Sequence, residues 1–205
     1  MGVWVIIPVK PLNRAKSRLS QVLTPEQRQQ LAETMLRHVL SVVQPVSQVM
    51  GTLVISRDGR ALAIAREYGA RTVQESGAPE LNSALMRATQ VVARWKGEAV
   101  LILPADLPLI AAEDITGIIE MGGHSARAGV IATDQHQDGT NALFIRPPGL
   151  IKYAYGTGSY ERHKQLVGDA GVDVKVYESE RLLLDIDMPA DLQSYNAMVG
   201  GLETP

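Results

Sequence analysis

The hydrophobic pattern opens with a short β-branched run at residues 3–9, the mark of a strand buried on both faces. Thr24-Pro25-Glu26-Gln27 then reads as a helix start. Thr24 is the N-cap, Pro25 takes the first helical position and Gln27 stands three residues after the cap. Leu31, Met35, Leu36, Val39, Leu40 and Val43 recur at helical spacing and form one apolar face. Residues 52–55 make a second apolar run. Asp58 is placed to cap a second helix and Gly69 to end it. A short strand over 71–74, a helix over 82–95 and a strand over 99–103, halted by Pro104, complete the alternation of the first half.

Apolar strands separated by amphipathic helices imply a parallel sheet covered on both faces. The second half is less regular. Its pattern predicts a helix over 113–121, strands over 129–133 and 142–145, and a helix over 160–167. Strands over 172–177 and 182–186 and a last helix from Pro189 follow. No repeat, low-complexity segment or linker interrupts the chain. Residues 1–205 therefore read as a single α/β domain, doubly wound about a mostly parallel, mixed sheet.

Composition narrows the function. Hydrophobic residues make up 45% of the 205, enough for a sizeable core. A formal net charge of -2 argues against a general nucleic-acid binder. The chain has no cysteine, which removes disulfides, thiolate zinc sites and cysteine nucleophiles. The first ten residues read as a core strand, not a signal peptide, because no charged n-region or small-residue cleavage site accompanies them. No apolar run approaches a bilayer span. The expectation is a cytoplasmic enzyme or binding module with no membrane or nucleic-acid partner.

Candidate chemistry gathers at strand ends, where ligands bind in open α/β sheets. The loop after the first strand carries Lys10, Arg14, Lys16 and Arg18, with no acidic residue before Glu26. Four uncompensated cations there suit a triphosphate and its leaving pyrophosphate, or else form a solvated basic loop. Asp106, between Pro104 and Pro108 at the end of the fourth strand, can hold a divalent cation against phosphate oxygens, or simply sit in a turn. Asp185 and Asp187 stand two apart and would face the same way in a strand, ready to share metal. Asp187 also suits the N-cap of the last helix, and Asp191 its positive end, so only Asp185 lacks a structural excuse. Asp138-Gly139-Thr140-Asn141 and Tyr155-Gly156-Thr157-Gly158-Ser159-Tyr160 offer backbone N–H groups and hydroxyls for a carboxylate or phosphate, or plain turns. Asn82 and Ser83 either cap the third helix or bond a base or ribose. His163 reads as structural or surface.

In order along the chain, Pro8-Val9-Lys10, Ala15-Lys16-Ser17-Arg18-Leu19, Leu81-Asn82-Ser83-Ala84-Leu85 and Pro104-Ala105-Asp106-Leu107-Pro108 are joined by three later motifs. These are Asp138-Gly139-Thr140-Asn141-Ala142-Leu143, Gly156-Thr157-Gly158-Ser159 and Asp185-Ile186-Asp187-Met188-Pro189-Ala190-Asp191-Leu192. The series resembles the 2-phospho-L-lactate guanylyltransferases, whose bacterial members are phosphoenolpyruvate guanylyltransferases, in the biosynthesis of the deazaflavin coenzyme F-420. The resemblance covers residues 8–192. It implies a nucleotide-diphospho-sugar transferase-like, Rossmann-like nucleotidyltransferase fold, with GTP and a phosphorylated three-carbon acid as substrates. It also implies Mg2+ on Asp106, Asp185 and Asp187, with Lys10, Lys16 and Arg18 on the triphosphate and Asn82 and Ser83 near the nucleoside. Asp106, Lys16 and Arg18 become the catalytic set, and Thr140, Gly158 and Ser159 meet the acid's carboxylate. A homodimer and direct hand-over of the product to a following enzyme are compatible with it. Many members have proline where Thr157 stands, so this loop is expected to be less stiff. The rivals are a related nucleotidyltransferase with a molybdopterin or sugar-phosphate acceptor, a glycosyltransferase, and a non-catalytic GTP-binding module. The first strand is followed by Pro8-Val9-Lys10-Pro11 and not by a glycine-rich loop with Arg, which counts against the first rival.

Overall fold

A computed structural model describes residues 2–76 and 80–199; the ends of the 1–205 span lie outside the described residues. The first strand, β1 (Val3–Val9), is almost wholly inaccessible. Its alternation divides it between two cores. Val3, Val5, Ile7 and Val9 face α1 (Pro25–Val43), α2 (Gly59–Glu67) and α4 (Ala112–Gly122). Trp4 and Ile6 face α3 (Leu81–Arg94) and α5 (Ser159–Asp169). Helices on both faces are what an uninterrupted apolar strand requires.

Beside β1 lie β2 (Val49–Ser56) and β4 (Ala99–Ile102), both parallel to it, and β3 (Arg71–Gln74) runs parallel to β2. Beyond β4 come β6 (Thr140–Arg146), β5 (Ala128–Thr133) and β7 (Val174–Val176), giving the order β3-β2-β1-β4-β6-β5-β7. Only β6 is reversed, antiparallel to both β4 and β5. Ile102, at the end of β4, therefore pairs with Leu143, near the start of β6. The reversal puts Thr140 and Asn141 on the same sheet edge as the ends of β1 and β4.

The caps expected from sequence form at α1 and α2. Thr24 accepts from the Gln27 N–H at 3.3 Å, and the Gln27 side chain accepts from the Thr24 N–H at 2.8 Å. Asp58 accepts from the Arg60 N–H at 2.8 Å and also from the Leu12 N–H at 2.7 Å, tying the basic loop to α2. At α3 the cap is Glu80, not Asn82 or Ser83. Its carboxylate accepts from both their N–H groups, at 2.9 and 2.5 Å, because its side chain reaches forward over the first turn.

The strand expected at 182–186 is absent. Residues Glu180–Leu183 form one turn of helix, α6, and the chain then runs on unpaired to α7 (Pro189–Met198). The apolar alternation there is real, since Leu182, Leu184 and Ile186 are all buried. Two of its carbonyls, however, are taken by a β6 side chain and a loop N–H, not by the backbone ladder of a neighbouring strand. Asn141 Nδ2 donates to the Leu182 carbonyl at 2.8 Å, and the Gln135 N–H to that of Leu183 at 2.9 Å. Asp114, fully buried in the first turn of α4, anchors the segment. It accepts from Ser179 Oγ at 2.6 Å and from Arg181 Nε and Nη2 at 2.8 and 2.9 Å. Burial pushes its carboxyl up, but Arg181 and Ser179 outweigh this and hold it below the ordinary range.

A third apolar cluster of Leu19, Met35 and Ile186 clamps this segment to the basic loop and α1. Each such side chain contributes roughly 1.5–3 kcal/mol by burial, enough to hold an unpaired segment in place.

Candidate active site

Lys16 stands in the middle of the basic loop that follows β1. It adopts a left-handed backbone (φ 53°, ψ 35°) between two single turns of 3-10 helix, Leu12–Arg14 and Ser17–Leu19. For a lysine this conformation costs on the order of 1 kcal/mol. It persists because both ends are fixed: Leu12 and Leu19 are buried, and the side chain is held by carboxylates. Lys16 Nζ lies 2.6 Å from Asp106 Oδ2 and 3.1 Å from Asp187 Oδ1, with 5% of the side chain exposed. Burial alone would lower its pKa; Asp106 and Asp187 together raise it above the ordinary lysine value.

Two of the four loop cations are thus compensated, where the local sequence suggested that none was. Lys16 is paired twice, and Arg18 reaches Asp187 at 3.5 Å. The partners arrive from 90 and 171 residues away, beyond the view of any local window.

Asp185 joins Asp106 and Asp187. One carboxylate oxygen of each lies within 4.8 Å of the others. Burial first, then repulsion from Asp106 and Asp187, pushes the Asp185 carboxyl up to about 6. Three mutually repelling carboxylates, with no nitrogen or sulfur donor among them, suit a hard divalent cation. Lys16 offsets one of the three charges. Asp187 is not the cap of α7, as its position before Pro189 suggested. Met188 occupies that place, and Asp191 Oδ2 accepts the N–H groups of Asp187 and Met188 at 3.0 and 2.6 Å. The carboxylate of Asp187 is left to face Lys16.

Lys16, Asp106 and Asp187 border a cleft of about 340 Å³. Its walls include Lys10, Lys16, Arg57, Glu75, Leu81 and Tyr155. Lys10 is exposed there. The first turn of α3 contributes Leu81 and Ala84, while the Asn82 side chain turns away to the backbone of Tyr155. The Ser83 N–H is engaged by Glu80.

Thr140, Gly158 and Ser159 form a neighbouring cluster outside the cleft walls. Ser159 Oγ donates to Thr140 Oγ1 at 3.2 Å, and Thr140 Oγ1 lies 3.0 Å from His163 Nδ1. The Gly158 N–H donates to Asp138 Oδ1 at 2.9 Å. Gly156 and Gly158 have φ of 119° and 69°, conformations that favour glycine. In place of a proline, Arg162 stiffens this loop. It donates through Nε and Nη2 to the Ala154 carbonyl at 3.2 and 2.9 Å and through Nη1 to that of Thr157.

His163 is structural. It is inaccessible, and its Nε2 accepts the Ala154 N–H at 2.9 Å, so Nδ1 carries the proton toward Thr140. Burial, helped by nearby Arg162, lowers its pKa to about 4. The unfolded chain holds this proton below about 6.5 and the folded one only below about 4. Stability is therefore full above pH 6.5 and falls as pH drops toward 4, by roughly 3 kcal/mol from this group. Thermal melts of wild type and His163→Gln over pH 4–7 should show a shallower slope in the variant; equal slopes would contradict this.

Sequence reasoning missed Asn141, Tyr155 and Asp114. Asn141 bonds the Leu182 carbonyl and lies 3.5 Å from Asp185; only the reversed β6 brings it there. Asp114 carries no local sign of its partners, because Ser179 and Arg181 lie 65 and 67 residues further along the chain.

Residues 3–204 match the family described as "Guanylyl transferase CofC like". The chain belongs to this family. The phosphoenolpyruvate guanylyltransferase of Rubrobacter xylanophilus is 38% identical over 200 residues, covering 98% of this chain and 96% of that one. The 2-phospho-L-lactate guanylyltransferase of Methanothermobacter thermautotrophicus is 34% identical, covering 94% and 83%. Among solved structures, a protein described as a nucleotide-diphospho-sugar transferase from Desulfovibrio desulfuricans superposes with a TM-score of 0.79 at 14% identity, covering 97% and 88%. A 4-diphosphocytidyl-2C-methyl-D-erythritol synthase gives 0.66 at 16% identity, covering 97% and 99%. These likenesses place the CofC-like chain on the Rossmann-like nucleotidyltransferase fold. No helix among the described residues is long and apolar enough to cross a membrane.

Proposed function

We propose that this CofC-like protein transfers GMP from GTP to phosphoenolpyruvate, or to 2-phospho-L-lactate, with release of pyrophosphate, in the biosynthesis of coenzyme F-420. The whole chain acts as one cytoplasmic nucleotidyltransferase domain. The convergence of Asp106, Asp185 and Asp187 on Lys16, at the mouth of a cleft on the strand-end edge, carries the reading. These carboxylates would hold Mg2+. Bound there, the ion supplies charge neutralisation between the acceptor phosphate and the α-phosphate.

The acceptor is a phosphate monoester with a second pKa near 6, so close to neutral pH it is mostly a dianion. It needs no general base, consistent with cleft walls that hold no histidine among the described residues. The task of the chain is to bring two anions together. Lys10 and Arg18 would steady the triphosphate from the exposed side of the loop. Lys16 would orient Asp106 and Asp187 and offset charge as the pyrophosphate departs. The acid's carboxylate would be received by Thr140, Gly158 and Ser159, taking the place of Asp138 on the Gly158 N–H. Ser83, at the start of α3, stands beside the nucleoside. A homodimer and hand-over of the product belong to the same proposal.

Pyrophosphate release should be measured with GTP and Mg2+, offering each three-carbon phospho-acid in turn, and the product identified by mass. Release that depends on one acid is the expected result. GTP binding with no release from any acid would sink the reading.

A further inference from the structure

Asn82 lies in the first turn of α3, in the region assigned to the nucleotide, yet its carboxamide is committed elsewhere. Oδ1 accepts the Tyr155 N–H at 2.7 Å, and Nδ2 donates to the Tyr155 carbonyl at 3.3 Å. The two bonds close a ring between one side chain and one residue's backbone, across 73 positions of sequence. Tyr155 in turn lines the cleft and packs edge-on against His163, with ring centroids 4.7 Å apart. The next residues, Gly156 to Ser159, form the loop that opens α5. That loop is held on its other side by Arg162 and by the Ala154 N–H to His163. The carboxamide of Asn82 is the link between the helix start that walls the nucleotide side of the cleft and the glycine loop.

We propose that Asn82 is a positioning residue for the acceptor: it fixes the Tyr155 backbone, and with it the wall against which the phospho-acid is aligned, and does not read the nucleotide. The inference rests on the guanylyltransferase reading for the identity of the acceptor. It has a physical rationale in the glycines. Gly156 and Gly158 leave the loop with a large conformational freedom to lose, and substrate would have to order it at each binding event. A carboxamide that pins the backbone at the loop's entry removes that cost beforehand. Each of the two hydrogen bonds is of a strength to change an equilibrium constant several-fold.

The test compares wild type, Asn82→Ala and Asn82→Asp. Asp keeps the acceptor for the Tyr155 N–H and loses the donor to its carbonyl. Steady-state pyrophosphate release gives KM for phosphoenolpyruvate and for GTP; GTP affinity is measured separately by calorimetry without acid. Hydrogen exchange follows the Tyr155 amide. For Asn82→Ala, the acid's KM should rise about tenfold while GTP affinity stays within about twofold. The Tyr155 amide should exchange faster, and Asn82→Asp should recover most of both effects. Loss of GTP affinity with an unchanged acid KM would overturn the proposal, as would a variant indistinguishable from wild type. Should Asn82→Ala fail to fold, Asn82→Asp against wild type decides on the same readouts, with a smaller KM rise expected. A wild type silent with every acid would sink the functional reading instead; the tether is then judged by Tyr155 exchange, which overturns it if unchanged in Asn82→Ala.

Discussion

Asp106→Asn should lower turnover by about 10³-fold while leaving the protein folded. The substitution removes one of three carboxylate donors and the 2.6 Å partner of Lys16. It leaves intact what positions the segment: the Asp106 backbone carbonyl still receives the Ile186 N–H, and Leu103 and Leu107 stay buried on either side. The side chain is 28% exposed, so an amide is accommodated there without strain. Circular dichroism and a thermal melt establish the fold, and single-turnover pyrophosphate release establishes the chemistry. A folded variant with near-normal turnover would remove Asp106 from the metal-holding set and with it the core of the proposed mechanism.

Lys16→Met separates two roles that the structure joins in one side chain. Without the ammonium, Asp106, Asp185 and Asp187 face each other with only Arg18 nearby, which is exposed and 3.5 Å from Asp187. A fully buried pair broken on one side costs about 3–5 kcal/mol. Asp106 and Asp187 are 28% and 46% exposed, so solvent screening should reduce this to about 1–2 kcal/mol. The metal-free variant should therefore melt roughly 5 °C lower than wild type. Millimolar Mg2+ should restore more of its stability than it adds to wild type, because the ion relieves repulsion that the lysine no longer does. Turnover should nonetheless fall about 10²-fold, since the positive charge at the triphosphate is lost. Equal Mg2+-dependent shifts in the two proteins would show that the ammonium and the ion do not share the carboxylates.

Sequence and structure agree where information is local. The strand at 3–9, the capping box at Thr24 and Gln27, and the cap at Asp58 each depend on residues within one turn or one strand, and all form as read. Disagreement follows chain separation. A period-two pattern over 182–186 records burial on one side, but whether the backbone pairs with a strand depends on what lies opposite, and there it meets the side chain of Asn141 and the N–H of Gln135. Asp187 before Pro189 has the residue type of a cap; Met188 holds that place, and Asp191 reaches back from the first turn to the N–H groups of Asp187 and Met188. The local pattern offered Asp106 and the Asp185–Asp187 pair separately; the family resemblance joined them as a set, and the charge balance of Lys16 had no local sign at all. Asn82 shows the same limit: a short polar residue in a helix start has many local uses, and its distant partner, a tyrosine backbone, carries no sequence signature.

The separation between Lys16 and Asp187 has a consequence for biosynthesis. Translation delivers Lys16 and its loop first, Asp106 90 residues later, and Asp185 and Asp187 later still. The parallel core of β1 to β4 can assemble on the ribosome from the first half of the chain, as N-terminal segments of larger proteins do. Phosphate-handling cations are thus present long before the acids that complete the centre. A nascent or prematurely terminated chain carries a sheet and a basic loop but only one of the three carboxylates, so it would lack the means to gather a dication. Competence to react arrives only with the segment that carries Asp185 and Asp187, and products truncated before it would be catalytically inert.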